Sequence, residues 1–175
     1  MRIRAFQGLR PNPEVVSQVA SVPYDVVNRQ EAAELAAGNP LSFLHVVRAE
    51  IDLPQVEDPY TQEVYDKAAA NLKHLEDEGA LVREQAPSLY LYEQEMDGHV
   101  QTGVTALCHI DDYENNLIKK HEKTRKAKED DRVNLNRTLR AHPGPVFLTY
   151  RDVPAVQTLV ADKRREQPLI EFTAP

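Results

Sequence analysis

The apolar side chains of this 175-residue chain fall into short runs, some with helical and some with strand spacing. Residues 60–79 carry apolar positions at helical spacing and end at Gly79, which predicts an amphipathic helix. Its core-facing stripe consists of Val64, Ala68, Leu72 and Leu75. A second helix is predicted from Asn28, a favourable N-cap with Glu31 in the reciprocal capping position, to Gly38.

In other segments apolar and polar side chains alternate with a period of two, which predicts β-strands. Residues 88–95 and 100–110 alternate on either side of an Asp97-Gly98 pair, which predicts a β-hairpin. Residues 39–47 also alternate, with apolar side chains on both faces, which predicts a largely buried strand. Further strands are predicted at residues 2–9, 21–27, 145–150 and 168–173, and further helices at residues 13–21 and 153–165. We therefore expect a single α+β domain over residues 1–175, with a mixed sheet, a β-hairpin and several flanking helices.

One predicted helix has no apolar face. Residues 119–132 contain a single apolar side chain, Ala127, yet their Lys, Glu, Arg and Ala residues favour a helix. A cationic stripe would follow one side of this helix, formed by His121, Arg125, Lys128 and Arg132. Such a helix is either a solvated bridge stabilised by pairs such as Glu122 with Lys126, or the lining of an anion site.

Composition narrows the classes of function. The formal net charge of −7 argues against a general nucleic-acid binder, because neutralising phosphates requires a net basic surface. The single cysteine, Cys108, excludes an intramolecular disulfide, and no Cys/His spacing of a zinc site is present. The first residues lack the apolar region of a signal peptide, and no apolar run approaches the ~18 residues of a membrane span. We expect a cytoplasmic protein without a membrane segment.

Familiar catalytic motifs are missing from the sequence. The six glycines are scattered, so neither GxGxxG nor GxxxxGK[ST] occurs, and GxSxG and HExxH are absent as well. Dispersed polar residues remain as candidates. Asn39, Ser42 and His45 supply donors that suit a phosphate or carboxylate, although a lone histidine in such a strand is more often a satisfied core residue. Asp25 is either a carboxylate held on a rigid edge or an ordinary cap of the local backbone.

Several segments together resemble one known family. VPYDVVNRQEAAELAAGNPLSFLHVVRAEIDLP, the SLYLYEQE hairpin, and IKKHEKTRKAKEDDR followed by PVFLTY resemble the amino-terminal half of the domain of unknown function family 1015. The resemblance covers nearly all of the chain. Family members are usually more than twice this length, and their later half carries a DGHHR-type loop similar to that of the ParB/sulfiredoxin-like fold. The resemblance implies either a truncated form or an amino-terminal domain that meets this loop in trans.

The resemblance also implies a function. ParB-like proteins include free serine kinases, which move a nucleotide phosphate onto the hydroxyl of L-serine, so small-molecule phosphoryl transfer with ATP or ADP and Mg²⁺ is implied. This chemistry needs cations against the moving phosphate and a carboxylate that orients the hydroxyl. The alternative is a non-catalytic ParB-like module that binds a nucleotide or a partner protein. A third interpretation is a scaffold whose acidic surface docks a partner.

The candidate residues follow from these chemical requirements. The candidate catalytic residues are Glu122, His121 and Asp25. The candidate substrate- and phosphate-binding residues are Arg125, Lys128, Arg132, His45, Ser42 and Asn39. Asp131 is the candidate Mg²⁺ ligand, since this ion prefers oxygen ligands.

Overall fold

The structure is a computed structural model that describes residues 1–121 and 123–174. Its elements are β1 (Ile3–Arg4), β2 (Leu9–Pro11), α1 (Val16–Val19), α2 (Arg29–Ala36), α3 (Leu44–Val47), a 3-10 helix (Ala49–Asp52), α4 (Gln62–Asp77), β3 (Leu81–Arg83), β4 (Tyr90–Met96), β5 (His99–Thr105), β6 (Leu107–Cys108), α5 (Ile110–Glu114), α6 (Lys126–Leu139) and α7 (Pro154–Lys163). Within this part of the chain the strands pair two by two, β1 with β6, β2 with β3, and β4 with β5. The predicted α+β class is confirmed.

The chain divides into two compact units. Unit 1 contains Met1–Arg10, Arg83–Lys123 and Arg151–Gln167, and unit 2 contains Pro11–Val82, Thr124–Tyr150 and Pro168–Pro175. The single-domain organisation stays a prediction. None of the helices in the described ranges has both the length and the apolar character needed to span a bilayer.

Helices build the core of unit 2. The long helix α4 buries the predicted stripe together with Tyr65, and it packs on α3, the 3-10 helix and α6. A second cluster joins Ala32 and Ala36 of α2 to Leu44 of α3. At the start of α2 the Asn28 side chain accepts a hydrogen bond from the Glu31 amide, and the Glu31 side chain accepts one from the Asn28 amide. Both helices and the capping box are therefore confirmed.

Unit 1 contains the predicted hairpin. Strands β4 and β5 pair antiparallel from Tyr90 opposite Thr105 to Met96 opposite His99. Asp97 and Gly98 connect them with φ angles of 52° and 76°, the left-handed backbone that this two-residue turn requires. The predicted helices at residues 13–21 and 153–165 are also confirmed, as α1 in unit 2 and α7 in unit 1.

A buried carboxylate joins two distant parts of the unit 1 sequence. Asp112 is 2% exposed and accepts hydrogen bonds from the Arg2 amide at 2.5 Å and from Arg2 Nη2 at 2.8 Å. These hydrogen bonds hold the pKa of Asp112 below its usual value, and the bond from the Arg2 amide contributes most. Because the folded-state pKa is lowered, the stabilisation is present above the unfolded-state pKa of about 3.9 and is lost as the pH falls through the folded-state pKa.

Asp112→Asn should therefore lower the melting temperature at pH 7, and the difference from the wild type should shrink as the pH falls below about 3.9. Thermal melts between pH 7 and pH 2 measure this difference. Asp111→Asn is the matched control, because Asp111 is half-exposed and lies 3.3 Å from the same guanidinium. If the difference in melting temperature between Asp112→Asn and the wild type stays constant over the whole pH range, the ionised carboxylate of Asp112 does not stabilise the fold.

Two predicted strands of unit 2 are wrong because turns replace them. Residues 39–47 form a turn followed by α3, and residues 21–27 form bends and turns. The Asn39 side chain accepts a hydrogen bond from the Leu41 amide at 3.2 Å, and the Ser42 amide bonds back to the Asn39 carbonyl. These local bonds begin a turn and outweigh the alternation of the apolar residues.

The strands predicted at residues 145–150 and 168–173 are also wrong. Both segments lack regular structure, and Val146 and Phe147 are 82% and 74% exposed. Alternation and β-branched residues indicate a fit to a sheet surface but do not provide the neighbouring strand. Neither segment pairs with another strand in the part of the chain that the structure describes.

The polar helix begins later than predicted. Helix α6 starts at Lys126 rather than at residue 119, and Arg125 occupies its N-cap with an extended backbone. His121 therefore lies outside the helix, and Glu122 lies outside the described residues. Cationic side chains are unfavourable at a helix N-terminus, and the residues of α6 that become buried lie further along it, from Asp131 onwards. The predicted stripe is thus reduced to Lys128 and Arg132.

Candidate functional site

A small cavity in unit 2 lies between α4, α6 and residues 46–50. Its volume is about 30 Å³, room for about two water molecules. The charged residues that line it are Arg48, Glu50, Lys128, Asp131 and Arg132, and the tyrosines are Tyr24, Tyr60 and Tyr65. The lining therefore contains three cationic side chains and two carboxylates, which gives it a net charge of +1.

The carboxylate of Asp131 is fully engaged within the protein. Asp131 is 5% exposed, and Tyr65 donates its hydroxyl hydrogen to Oδ1 at 3.2 Å. Arg132 donates to Oδ2 from Nη2 at 2.7 Å and from Nε at 3.1 Å. Burial, and then the charge of Asp131, raise the pKa of Tyr65, which keeps its hydroxyl a donor. Asp131 therefore anchors Arg132 to the wall of the cavity.

The guanidinium of Arg132 is held on a second side by an aromatic ring. Its central carbon lies 4.0 Å from the centroid of the Tyr24 ring, a cation–π contact. Within the described ranges its Nη1 atom has no hydrogen-bond partner. Arg132 is thus fixed by Asp131 and Tyr24, and one nitrogen remains available to a ligand.

Lys128 adds a second cation one helical turn away. Residues four apart on a helix share a face, so Lys128 and Arg132 lie on the same side of α6. Lys128 Nζ lies 3.0 Å from the Tyr60 hydroxyl and 5.5 Å from the centroid of that ring. An ammonium group has three donors, so two remain after this bond. Together with Arg132 they form a cationic side of the cavity.

The opposite charge comes from Glu50 on the 3-10 helix. Glu50 is 5% exposed, and its Oε1 lies 3.1 Å from Arg48 Nε. This is a charge contact without hydrogen-bond alignment, since Arg48 Nε is buried and makes no hydrogen bond. The backbone around Glu50 is fixed by Arg29 of α2. Its guanidinium donates to the carbonyls of Glu50, Leu53 and Val56 at 2.8, 2.6 and 2.6 Å.

Three of the predicted site residues line this cavity: Lys128, Arg132 and Asp131. Arg125 does not line it and is exposed at the N-cap of α6. Asp25 is exposed in the turn beside Tyr24. In the parts of the chain that the structure describes, no group of three or more His, Cys, Asp or Glu side chains is placed to hold a metal ion. The role of Asp131 as an Mg²⁺ ligand stays a prediction.

The remaining catalytic candidates are placed elsewhere. His121 is exposed and belongs to unit 1, while Glu122 lies outside the described residues. Their catalytic roles stay predictions.

The three phosphate-binding candidates before α4 make contacts within the fold. His45 Nδ1 lies 2.8 Å from Asp52 Oδ1, and its Nε2 lies 3.2 Å from the Asn39 carbonyl oxygen. Asn39 also donates its side-chain amide to the Gln18 carbonyl at 2.7 Å. Ser42 is 3% exposed, and its hydroxyl accepts a 3.4 Å bond from the amide two residues later. These contacts stabilise the turn that leads into α3, and a phosphate-binding role for the three residues stays a prediction.

Three residues that line the cavity were not predicted from the sequence: Tyr24, Tyr65 and Glu50. A signal existed for Tyr65, which stands beside the apolar stripe of α4, because a buried tyrosine hydroxyl needs a hydrogen-bond partner. Tyr24 lies within residues 21–27, which were predicted as a strand without a role for this side chain. Glu50 carries no local signal, since its burial depends on α2 and α4 packing around the 3-10 helix.

Comparison with known proteins gives the family. The sequence model described as "Protein of unknown function (DUF1015)" matches residues 3–175. No curated protein and no solved structure matches the chain. The family match spans nearly the whole sequence, including the segments PYDVV, NPLSFLHV and HEKTRKAKEDDR on which the resemblance rested. The chain belongs to DUF1015, a family of proteins of unknown function.

Proposed function

We propose that unit 2 binds a small molecule through a phosphate or carboxylate group at the cavity between α4, α6 and residues 46–50. The observation that carries this proposal is the guanidinium of Arg132, fixed by Asp131 and Tyr24 with Nη1 left without a partner in the described structure. Because the side chain is already ordered, an anion that binds it avoids most of the entropy loss of immobilising a long side chain.

The chemistry of the cationic side suits phosphate in particular. Arginine presents its donors in a planar fork that matches phosphate oxygens, and lysine adds a compact charge. The hydroxyls of Tyr24 and Tyr60 offer further hydrogen bonds at the same cavity. The cavity of about 30 Å³ holds only about two water molecules, so a bound phosphate would lie at its open side, against the exposed Lys128 and the partly exposed Arg132.

A second candidate is nucleotide-dependent transfer of phosphate to the hydroxyl of a serine-like amino acid. The buried carboxylate of Glu50 beside the cations favours it, because phosphoryl transfer needs a group that orients the accepting hydroxyl. The cavity of about 30 Å³ is too small to hold a whole ATP or ADP. No catalytic step is therefore assigned to ATP with Mg²⁺. The same site without transfer corresponds to a non-catalytic, nucleotide-binding module.

Calorimetric titration with inorganic phosphate tests the proposed binding. We expect Arg132→Ala to weaken phosphate binding by about tenfold or more, because a charge-assisted hydrogen bond contributes about 1.5–3 kcal/mol. Arg137→Ala is the matched control, since Arg137 is exposed on the same helix and does not line the cavity. If both substitutions weaken phosphate binding equally, the effect comes from the overall charge of α6 rather than from the cavity. If the wild-type chain does not bind phosphate, the proposal is wrong.

Phosphorus-31 NMR separates the second candidate from simple binding. The chain is incubated with ATP, Mg²⁺ and L-serine, and the spectrum is followed for phosphoserine. A phosphoserine signal that disappears in Glu50→Gln supports transfer. If the chain binds phosphate but no phosphoserine signal forms, only the binding function is supported.

A further inference from the structure

We infer that the ligand of this cavity carries an ammonium group beside its anionic group, and that Glu50 binds the ammonium. The ligand class is therefore a short phosphorylated or carboxylated amine. This inference rests on the proposed function, since Lys128 and Arg132 are the residues that bind the anionic group.

The first support is the unmet hydrogen-bonding capacity of Glu50. The residue is 5% exposed, and removing a carboxylate from water is unfavourable unless hydrogen bonds replace the lost hydration. Its Oε1 faces the buried, unbonded Arg48 Nε at 3.1 Å, and no side chain or backbone amide among the described residues donates a hydrogen bond to the carboxylate. Arg48 already supplies a positive charge, and an ammonium group would add the three hydrogen-bond donors that this carboxylate lacks.

The second support is the contrast with Asp131. Both carboxylates line the same cavity, and both are 5% exposed. Asp131 has both oxygens bonded, one by Tyr65 and the other by Arg132. The two residues therefore have different roles. Asp131 supports Arg132, whereas Glu50 is left for a group that comes from outside the protein.

The third support is the arrangement of charge around the cavity. The cations Lys128 and Arg132 belong to α6, while Glu50 belongs to the 3-10 helix and lies beside the third cation, Arg48. A ligand with a single negative charge would use only one of these walls. A ligand with both charges a few bonds apart uses both walls.

An isosteric pair of ligands tests the inference. O-phosphoethanolamine and n-propyl phosphate have the same number of non-hydrogen atoms and differ by an ammonium in place of a methyl group. Calorimetric titration of the wild-type chain should show at least tenfold tighter binding of phosphoethanolamine. Glu50→Gln should bind the two ligands alike and retain its affinity for inorganic phosphate. Glu34→Gln, at an exposed position on α2, should keep the wild-type preference.

The outcomes distinguish this inference from the proposed function. Equal affinity of the wild-type chain for the two ligands would overturn the ammonium site and leave the phosphate site intact, and this comparison requires no variant. A preference that survives in Glu50→Gln would also overturn it. Failure of the wild-type chain to bind either inorganic phosphate or phosphoethanolamine would instead overturn the proposed function.

Discussion

Replacing Asp131 by alanine should lower the free energy of unfolding by about 2–4 kcal/mol, since it leaves two buried or half-buried partners without their carboxylate. Those partners are the Tyr65 hydroxyl, at 3.2 Å, and the Arg132 guanidinium, at 2.7 Å. We also expect phosphate affinity to fall about tenfold, because Arg132 is then held only by the Tyr24 ring. Urea unfolding followed by circular dichroism measures the first effect, and calorimetric titration measures the second.

Asp130→Ala is the matched control for this prediction. Asp130 is exposed on the same helix and pairs with Lys126 four residues earlier. An exposed pair of this kind contributes about 0.3–0.5 kcal/mol, so the control should be nearly neutral. Similar small changes for both variants would mean that the buried carboxylate does not anchor the site.

Replacing Arg29 by alanine should lower the free energy of unfolding by about 2–4 kcal/mol, because three backbone carbonyls lose a charged donor. These carbonyls belong to Glu50, Leu53 and Val56, so Arg29 holds the whole segment that carries Glu50. Phosphoethanolamine should also lose its advantage over n-propyl phosphate, while inorganic phosphate should still bind. Urea unfolding and the ligand titrations measure the two effects.

A lysine variant separates the charge of Arg29 from its hydrogen-bonding geometry. Arg29→Lys keeps the charge but cannot donate to all three carbonyls in the same planar arrangement, so its stability should fall between those of the wild type and Arg29→Ala. A lysine variant as stable as the wild type would show that charge alone, rather than the hydrogen-bonding fork, holds the segment.

Elements with strong local signals could be predicted from the sequence. The capping box of Asn28 and Glu31 and the Asp97-Gly98 turn each depend on a few neighbouring residues, so their conformation is encoded locally. Residues 39–47 show where this fails. Their alternation fitted a strand, but the hydrogen bonds of Asn39 favoured a turn, and periodicity alone does not reveal such competition.

The candidate site was predicted in part. The cationic stripe of the polar helix singled out Lys128 and Arg132, and the preference of Mg²⁺ for oxygen ligands singled out Asp131. All three line the cavity. The same pattern included Arg125, which dropped out because the helix begins one residue after it. Glu50 could not be found in this way, because its burial is produced by tertiary packing around the 3-10 helix.

The binding of phosphate at the cavity of unit 2 is tested most directly by NMR. The chain is labelled with nitrogen-15 and titrated with inorganic phosphate, while backbone amides and arginine Nε–Hε signals are followed. We expect the largest shift changes at residues 48–50 and 128–132, including the Nε–Hε signal of Arg132. Shift changes confined to the exposed lysines of residues 119–123, or no saturable change at all, would contradict a phosphate site in this cavity.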